Sequence, residues 1–294
     1  MNTISRLILK NSDPAKYRDY KYMKKLRNVV KIETFDYTKK NEISFKHSGN
    51  CGDIIYAIPT ILALSNEKKA NIYLRLNQIV KYHKSIKHPL GNLMLNEQMF
   101  KMLFPLLNVQ PKIHDCSILT NQHIDVDLDK VREYPLNLDK GNIAKWYSMI
   151  FPVATDLSMP WLFVEKNNDI SDTILIARSQ RYHAPDINYQ FLSKYPKVAF
   201  VGLEQEYNEM KIQIKNLNYL PVSNFLELAT LIASCKFFIG NQSFPFSLAE
   251  GLKVKRLLEV FYWCPNVISE GINGYDFCFQ PQFEYLVDKM YSES

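Results

Sequence analysis

Hydrophobic alternation and helical spacing divide the chain into two successive β–α series. In the first, Ile43-Ser44-Phe45-Lys46-His47 alternates as a strand, Ser48–Gly52 forms a turn, and an apolar helical run starts at Asp53. Asn71–Leu76 and His123–Leu128 alternate as further strands, and Leu95–Leu107 and Asp139–Phe151 have helical spacing, with Pro105 near the end of the former. Pro160 and the polar run Glu165–Asp169 then mark a connection. In the second series Thr173–Ala177, Lys197–Val201, Lys236–Ile239 and Arg256–Phe261 read as strands. Glu204–Lys215, Asn224–Ser234, Phe244–Gly251 and Pro281–Tyr291 read as helices, with Asn224 or Ser223 as the cap of the second. Ahead of both series, residues 14–31 predict a basic helix whose Tyr20, Met23, Leu26 and Val30 form a buried stripe. Repeated β–α alternation predicts parallel sheets covered by helices, in two Rossmann-like lobes over about residues 1–160 and 161–280, with a last helix over 281–294.

Composition fits this outline. A chain of 294 residues is too long for one ordinary core. The hydrophobic fraction is 47%, with 18 Tyr and 17 Phe, enough to fill two cores. No apolar run reaches the roughly 18–20 residues that cross a bilayer, and the apolar segment among the first residues is too short for a secretion signal. The expected location is cytoplasmic, with a peripheral membrane position left open. Cys51, Cys116, Cys235, Cys264 and Cys278 show no metal-ligand spacing and read as reduced thiols.

Charge is unevenly placed. Residues 1–45 hold eleven Lys and Arg against five Asp and Glu, which is the whole net charge of +6. This is either a solvated basic face or a patch for an anionic acceptor, a membrane surface or nucleic acid.

The candidate chemistry lies in three turns. In Gly49-Asn50-Cys51-Gly52-Asp53 the glycines let backbone or ligand come close. Asp53 either caps the helix or points its carboxylate into a cleft. Ala177-Arg178-Ser179-Gln180-Arg181 follows the first strand of the second series. Its guanidinium forks suit phosphate oxygens, or it is a solvent-facing loop. Gln242-Ser243 precedes a helix start, where free N–H groups and the helix dipole attract phosphate. Asp125 and Asp127 have Asp-x-Asp spacing, but on an alternating strand they read as solvent-facing and not as metal ligands.

Two of these turns carry a family resemblance. Gly52-Asp53, Pro59 six residues on, and Leu62 and Leu64 resemble the N-terminal motif of the glycosyltransferase family 9 heptosyltransferases. Gly240-Asn241-Gln242-Ser243-Phe244-Pro245-Phe246-Ser247-Leu248-Ala249 is similar to their second motif. It departs from that motif at Gln242 for Asp, Phe244 for Gly and Ser247 for His. The resemblance covers roughly residues 43–265. It implies the GT-B arrangement, two lobes facing one cleft, with the last helix returning to the first lobe. It implies metal-independent, inverting transfer of a sugar from a nucleotide diphosphate to a glycan, lipid-linked or other hydroxyl acceptor, with no cofactor beyond that co-substrate. Asp53 would be the base, and Gly49, Asn50 and Gly52 would form the acceptor-side loop. Arg178, Ser179, Arg181, Gln242 and Ser243 would hold the donor, with Glu250 on the ribose. Two alternatives remain: an inactive binding relative, suggested by the three departures, and a nucleic-acid-binding or modifying protein, suggested by the basic leader.

Overall fold

The computed structural model describes residues 1–26, 40–80, 90–134, 136–167 and 169–293. In chain order the first part comprises α1 (Thr3–Ser12), α2 (Pro14–Leu26), β1 (Glu42–His47), α3 (Cys51–Ser65), β2 (Lys69–Leu74), α4 (Glu97–Asn108), β3 (Ile113–Ile118), β4 (Val126–Asp127) and α5 (Ile143–Ile150). The second part comprises β5 (Ile174–Ala177), β6 (Val198–Phe200), α6 (Glu204–Gln213), β7 (Leu217–Tyr219), α7 (Phe225–Ser234), β8 (Phe237–Asn241), α8 (Phe244–Leu252), β9 (Arg256–Glu259), β10 (Gly274–Phe277) and α9 (Gln280–Ser292).

Both sheets are parallel throughout. The first runs β3-β2-β1-β4 and the second β10-β9-β8-β5-β6-β7. The second is the doubly wound order, reversing between β5 and β8. The first reverses in the same way between β1 and β4. In open parallel sheets a crevice forms outside the carboxyl ends of the strands at such a reversal. The loops leaving β1, β4, β5 and β8 are therefore placed to line a site.

Helix α3 is central to this arrangement. Ile54, Ile55, Tyr56, Ala57, Ile58, Thr60 and Ile61 are all buried, so nearly its whole circumference is covered. A helix apolar all round belongs in a core, and here it lies between the first sheet and α8 of the second lobe. One apolar cluster runs from Ile43 and Phe45 through α3 to Phe246, Leu248 and Ala249. Each fully buried Ile contributes on the order of 1.5–3 kcal/mol. Pro59 sits inside α3 without breaking it. The connection after α5 packs on the same unit, with the N–H groups of Trp161 and Leu162 donating to the Gly251 carbonyl at 2.9 and 3.1 Å.

Several expectations need correction. Helix α9 does not return to the first lobe. Phe283, Leu286, Val287 and Met290 bury against the far face of the second sheet, where Phe283 stacks on Phe277 at 4.1 Å. The strand expected over His123–Leu128 shrinks to Val126–Asp127, because side chains replace the ladder. Asp125 accepts the Ser44 N–H at 3.0 Å and pairs with Lys40, and Asp127 pairs with Lys46 at 2.7 Å. These two carboxylates thus anchor β1 and do not simply face solvent. The stripe expected on the basic helix is not buried: Met23 is 55% exposed and Tyr20 is only half-covered. Val30 and the rest of that stretch lie outside the described residues. Strands β3, β7 and β10 carry no clear pattern of their own in the sequence, whereas α1 has apolar residues at helical spacing, Ile4, Leu7 and Ile8. All five thiols are free.

Candidate active site

A cavity of about 620 Å³ opens between the lobes at both strand-order reversals. Asn50, Gly52, Asp53 and Tyr56 line it from the first lobe. Arg178, Ser179, Arg181, Tyr182, Glu206, Gln242, Ser243 and Phe244 line it from the second. One end is apolar, with Met94, Met99 and Met102 facing Val222, Phe225 and Leu228.

Asp53 stands at the third position of α3 and closes a capping box with Asn50. Its Oδ2 accepts the Asn50 N–H at 3.2 Å and a guanidinium N–H of Arg132 at 2.8 Å. For Oδ1 the described residues provide no partner. Cap and cleft carboxylate are therefore not alternatives at this residue, which both closes the capping box and lines the cavity. Arg132, unforeseen in the sequence, ends a 3₁₀ turn that follows β4 and also donates to Asp129 at 3.0 Å. Burial works against its charge, but the carboxylates of Asp53 and Asp129 raise its pKa above the ordinary value.

Behind this pair His47 is fully buried. Its Nδ1 accepts the Gly49 N–H at 2.9 Å, so the proton is on Nε2, which donates to the Tyr147 hydroxyl at 2.7 Å. Burial, and then the Arg132 charge, bring its pKa down to about 4. Gly49 is required here for space. A Cβ on it would collide with Arg132 Nη2 and come within 2.6 Å of His47 Cε1. Asn50 and Gly52 line the cavity, whereas Gly49 is buried behind it.

In the second lobe Asn241, fully buried at the end of β8, locks the loop after β5. It accepts the Ser179 N–H at 3.1 Å, donates to the Ser179 carbonyl at 2.9 Å, and also reaches the Arg181 carbonyl. Tyr182 in that loop takes φ +57°, which is costly for an aromatic residue. Arg178 lines the cavity, but its fork is committed inward. Nε and Nη2 each donate to Glu259 at 2.7 Å, and Glu259 also takes the Tyr189 hydroxyl at 2.8 Å. Arg181 differs. It is half-buried, lies over the Tyr182 ring at 5.4 Å, and forms no ion pair among the described residues.

The turn before α8 is divided in the same way. Gln242 spends its side chain on structure. Nε2 donates to the Cys264 carbonyl and to Asn266 Oδ1 at 2.6 and 3.0 Å, and Oε1 accepts the Phe261 N–H at 2.6 Å. Ser243 is the N-cap residue of α8, yet its hydroxyl makes no cap bond and borders the cavity. Glu250 must be corrected: it is fully buried, does not line the cavity, and is held by Arg256, Lys253 and the Glu270 N–H. The cleft carboxylate of this lobe is Glu206, which accepts the N–H groups of Leu203 and Gln180 at 3.1 and 3.3 Å. Burial raises its pKa. Tyr56 is a further unforeseen group. Its buried hydroxyl has no partner among the described residues and lies one turn beyond Asp53. Among the described residues no cluster of His, Cys, Asp or Glu is arranged to hold a metal ion.

The sequence matches no protein-family model and no curated protein. Solved structures do match. A family 9 glycosyl transferase from Veillonella parvula aligns over 90% of this chain and 100% of its own, at 12% identity and a TM-score of 0.56. The E. coli heptosyltransferase WaaC with ADP-2-deoxy-2-fluoro heptose aligns over 84% of this chain and 99% of its own, at 7% identity and the same TM-score of 0.56. WaaC with ADP gives 85% and 99%, again at 7% identity and a TM-score of 0.56. At such identities the likeness is one of architecture, and the chain has the two-lobed GT-B fold of the family 9 glycosyltransferases.

Proposed function

We propose that the protein transfers a sugar from a nucleotide-diphosphate donor to a hydroxyl acceptor, with inversion, in the cavity between the lobes. The observation that carries this is the facing of Asp53 from the first strand-order reversal and Arg181 with Ser243 from the second, across one cavity. The acceptor hydroxyl attacks the anomeric carbon as the bond to the leaving diphosphate breaks, and its proton passes to Asp53 Oδ1. The charge on the diphosphate falls to Arg181 and the N-terminus of α8, and no resident metal or further cofactor is assigned. Ser179 shapes the phosphate loop through Asn241. Arg178 and Gln242 support that loop from behind, and Glu206 is the carboxylate placed for the ribose hydroxyls. Asn50 and Gly52 form the acceptor side. Heptose is one candidate sugar, and WaaC, similar in fold, is described with an ADP-heptose analogue.

The test is calorimetry against a panel of nucleoside diphosphates and nucleotide sugars, followed by measurement of diphosphate release. Binding of one nucleoside diphosphate that weakens in Arg181→Ala is the expected result. Absence of binding to every member of the panel would overturn the assignment. A second reading, binding without turnover, is favoured by Gln242 and Ser247, whose side chains are bonded within the protein. It predicts donor binding with no diphosphate release under any condition.

A further inference from the structure

Helix α1 carries an apolar face that the described residues leave uncovered. Ile4, Leu7 and Ile8 stand at i, i+3 and i+4 and are 70%, 56% and 61% exposed, and Met1, one turn earlier, is 54% exposed. The other side of the helix, at Ser5 and Leu9, is half-buried, and α2 is the helix α1 packs against. The outward face is thus left over after packing. Soluble surfaces seldom keep such a contiguous aliphatic stripe without a partner.

The partner's chemistry follows from the charges around the stripe. Residues 1–26 hold Arg6, Lys10, Lys16, Arg18, Lys21, Lys24 and Lys25 against Asp13 and Asp19, seven cations to two anions. All of these cations except the half-buried Arg6 are exposed. An aliphatic stripe on a hairpin rich in exposed Lys and Arg suits the boundary between anionic headgroups and acyl chains. A second copy of the chain would bring one cationic hairpin against another. Nucleic acid would meet the cations but give Ile4, Leu7 and Ile8 nothing to bury against. We propose that the α1–α2 hairpin docks on an anionic lipid bilayer, with the face of Ile4, Leu7 and Ile8 entering the headgroup boundary.

The hairpin adjoins the candidate site. Tyr22 and Lys25 at the end of α2 share a polar pocket of about 290 Å³ with Arg132, Asn137 and Asp139. Arg132 is the cation on Asp53. If the sugar-transfer reading holds, docking sets the bilayer on the base's side of the cavity, where a lipid-linked acceptor would arrive.

The test is flotation of the full chain with phosphatidylcholine vesicles, with and without phosphatidylglycerol, at low and high salt. The wild type should float with the anionic vesicles alone and be released by salt. Combined Ile4→Ser, Leu7→Ser and Ile8→Ser should weaken partitioning at least roughly tenfold. Combined Lys16→Gln, Lys21→Gln and Lys24→Gln should weaken it roughly a hundredfold. Circular dichroism checks that both variants stay folded. The proposal is overturned if the wild type ignores anionic vesicles at low salt, or if the serine variant binds them undiminished. It is also overturned if the serine substitutions abolish only a concentration-dependent dimer. Nucleotide affinity, measured without vesicles, should be the same in all three proteins, so failure of docking and failure of the transfer reading are read separately.

Discussion

Arg132 Nη2 lies 2.8 Å from Oδ2 of Asp53 and joins the loops that leave two neighbouring strands, β1 and β4. The pair fixes which carboxylate oxygen is committed to structure. Oδ2 carries the guanidinium and the cap, and Oδ1 takes no bond from the described residues.

Asp53→Asn therefore separates proton transfer from capping. Asparagine caps nearly as well as aspartate but cannot take the acceptor's proton. Sugar transfer should fall at least about a hundredfold, with donor affinity and melting temperature close to wild type. Near-normal turnover with the true acceptor would remove Asp53 as the base.

Arg132→Gln should act through Asp53 without touching the donor. Loss of the guanidinium frees the carboxylate to turn and leaves Asp129 short of a cation. Turnover should drop by up to about a hundredfold, the size expected when a reacting group is misplaced by about an ångström. Donor affinity from calorimetry should stay unchanged, and a parallel loss of donor affinity would make Arg132 a donor ligand.

The two arginines after β5 should behave in opposite ways. Arg178→Ala strands the buried carboxylate of Glu259 and should cost about 3–5 kcal/mol of stability in denaturant titration. Arg181→Ala breaks no ion pair among the described residues and should leave stability within about 0.5 kcal/mol. It should weaken nucleoside diphosphate binding by about 1.5–3 kcal/mol while sparing the free nucleoside. The reverse pattern would return the phosphate fork to Arg178.

His47 sets a pH dependence. Burial and Arg132 hold its folded pKa at about 4, below the usual 6.5 of the unfolded chain. Between those values the unfolded state binds a proton that the folded state refuses. Stability is therefore full above about pH 6.5 and is lost as pH falls towards about 4, by roughly 2–3 kcal/mol. His47→Gln removes this titration, and its urea midpoints should be flatter over that window. An unchanged slope would mean that the acid limb belongs to the carboxylates.

The β–α rhythm was legible because strands of the second sheet, buried on both faces, write continuous apolar runs, and the strand before Asp53 because it alternates. Strands β7 and β10 are only three and four residues long and half-polar, too short for a period to register. The site was half legible. Turn residues could be listed from the sequence, but which of Arg178 and Arg181 has its fork tied up inside the protein depends on Glu259, about eighty positions away. Arg132 was hidden for the same reason: its partner Asp53 belongs to another loop. Glu250 reads as an ordinary helix carboxylate until Arg256 and Lys253 are seen around it. The departures at Phe244 and Ser247 also gain a physical setting. A Cβ on Gly52 would lie 4.0 Å from Phe244 Cα and 3.9 Å from Ser247 Oγ. These positions are thus where the lobes touch, and Phe244 also lines the cavity.

Helix α3 has its apolar surface divided between the first sheet and α8. Swinging the lobes wide apart would uncover the side of α8 that lies on α3, at Phe244 and Ser247. Substrate entry and product release should therefore proceed by small sliding movements of α3 along α8, without a hinge-like gape. The same sharing couples the lobes in unfolding. Neither should survive excision as an independent module, and heat should melt the two together in one transition.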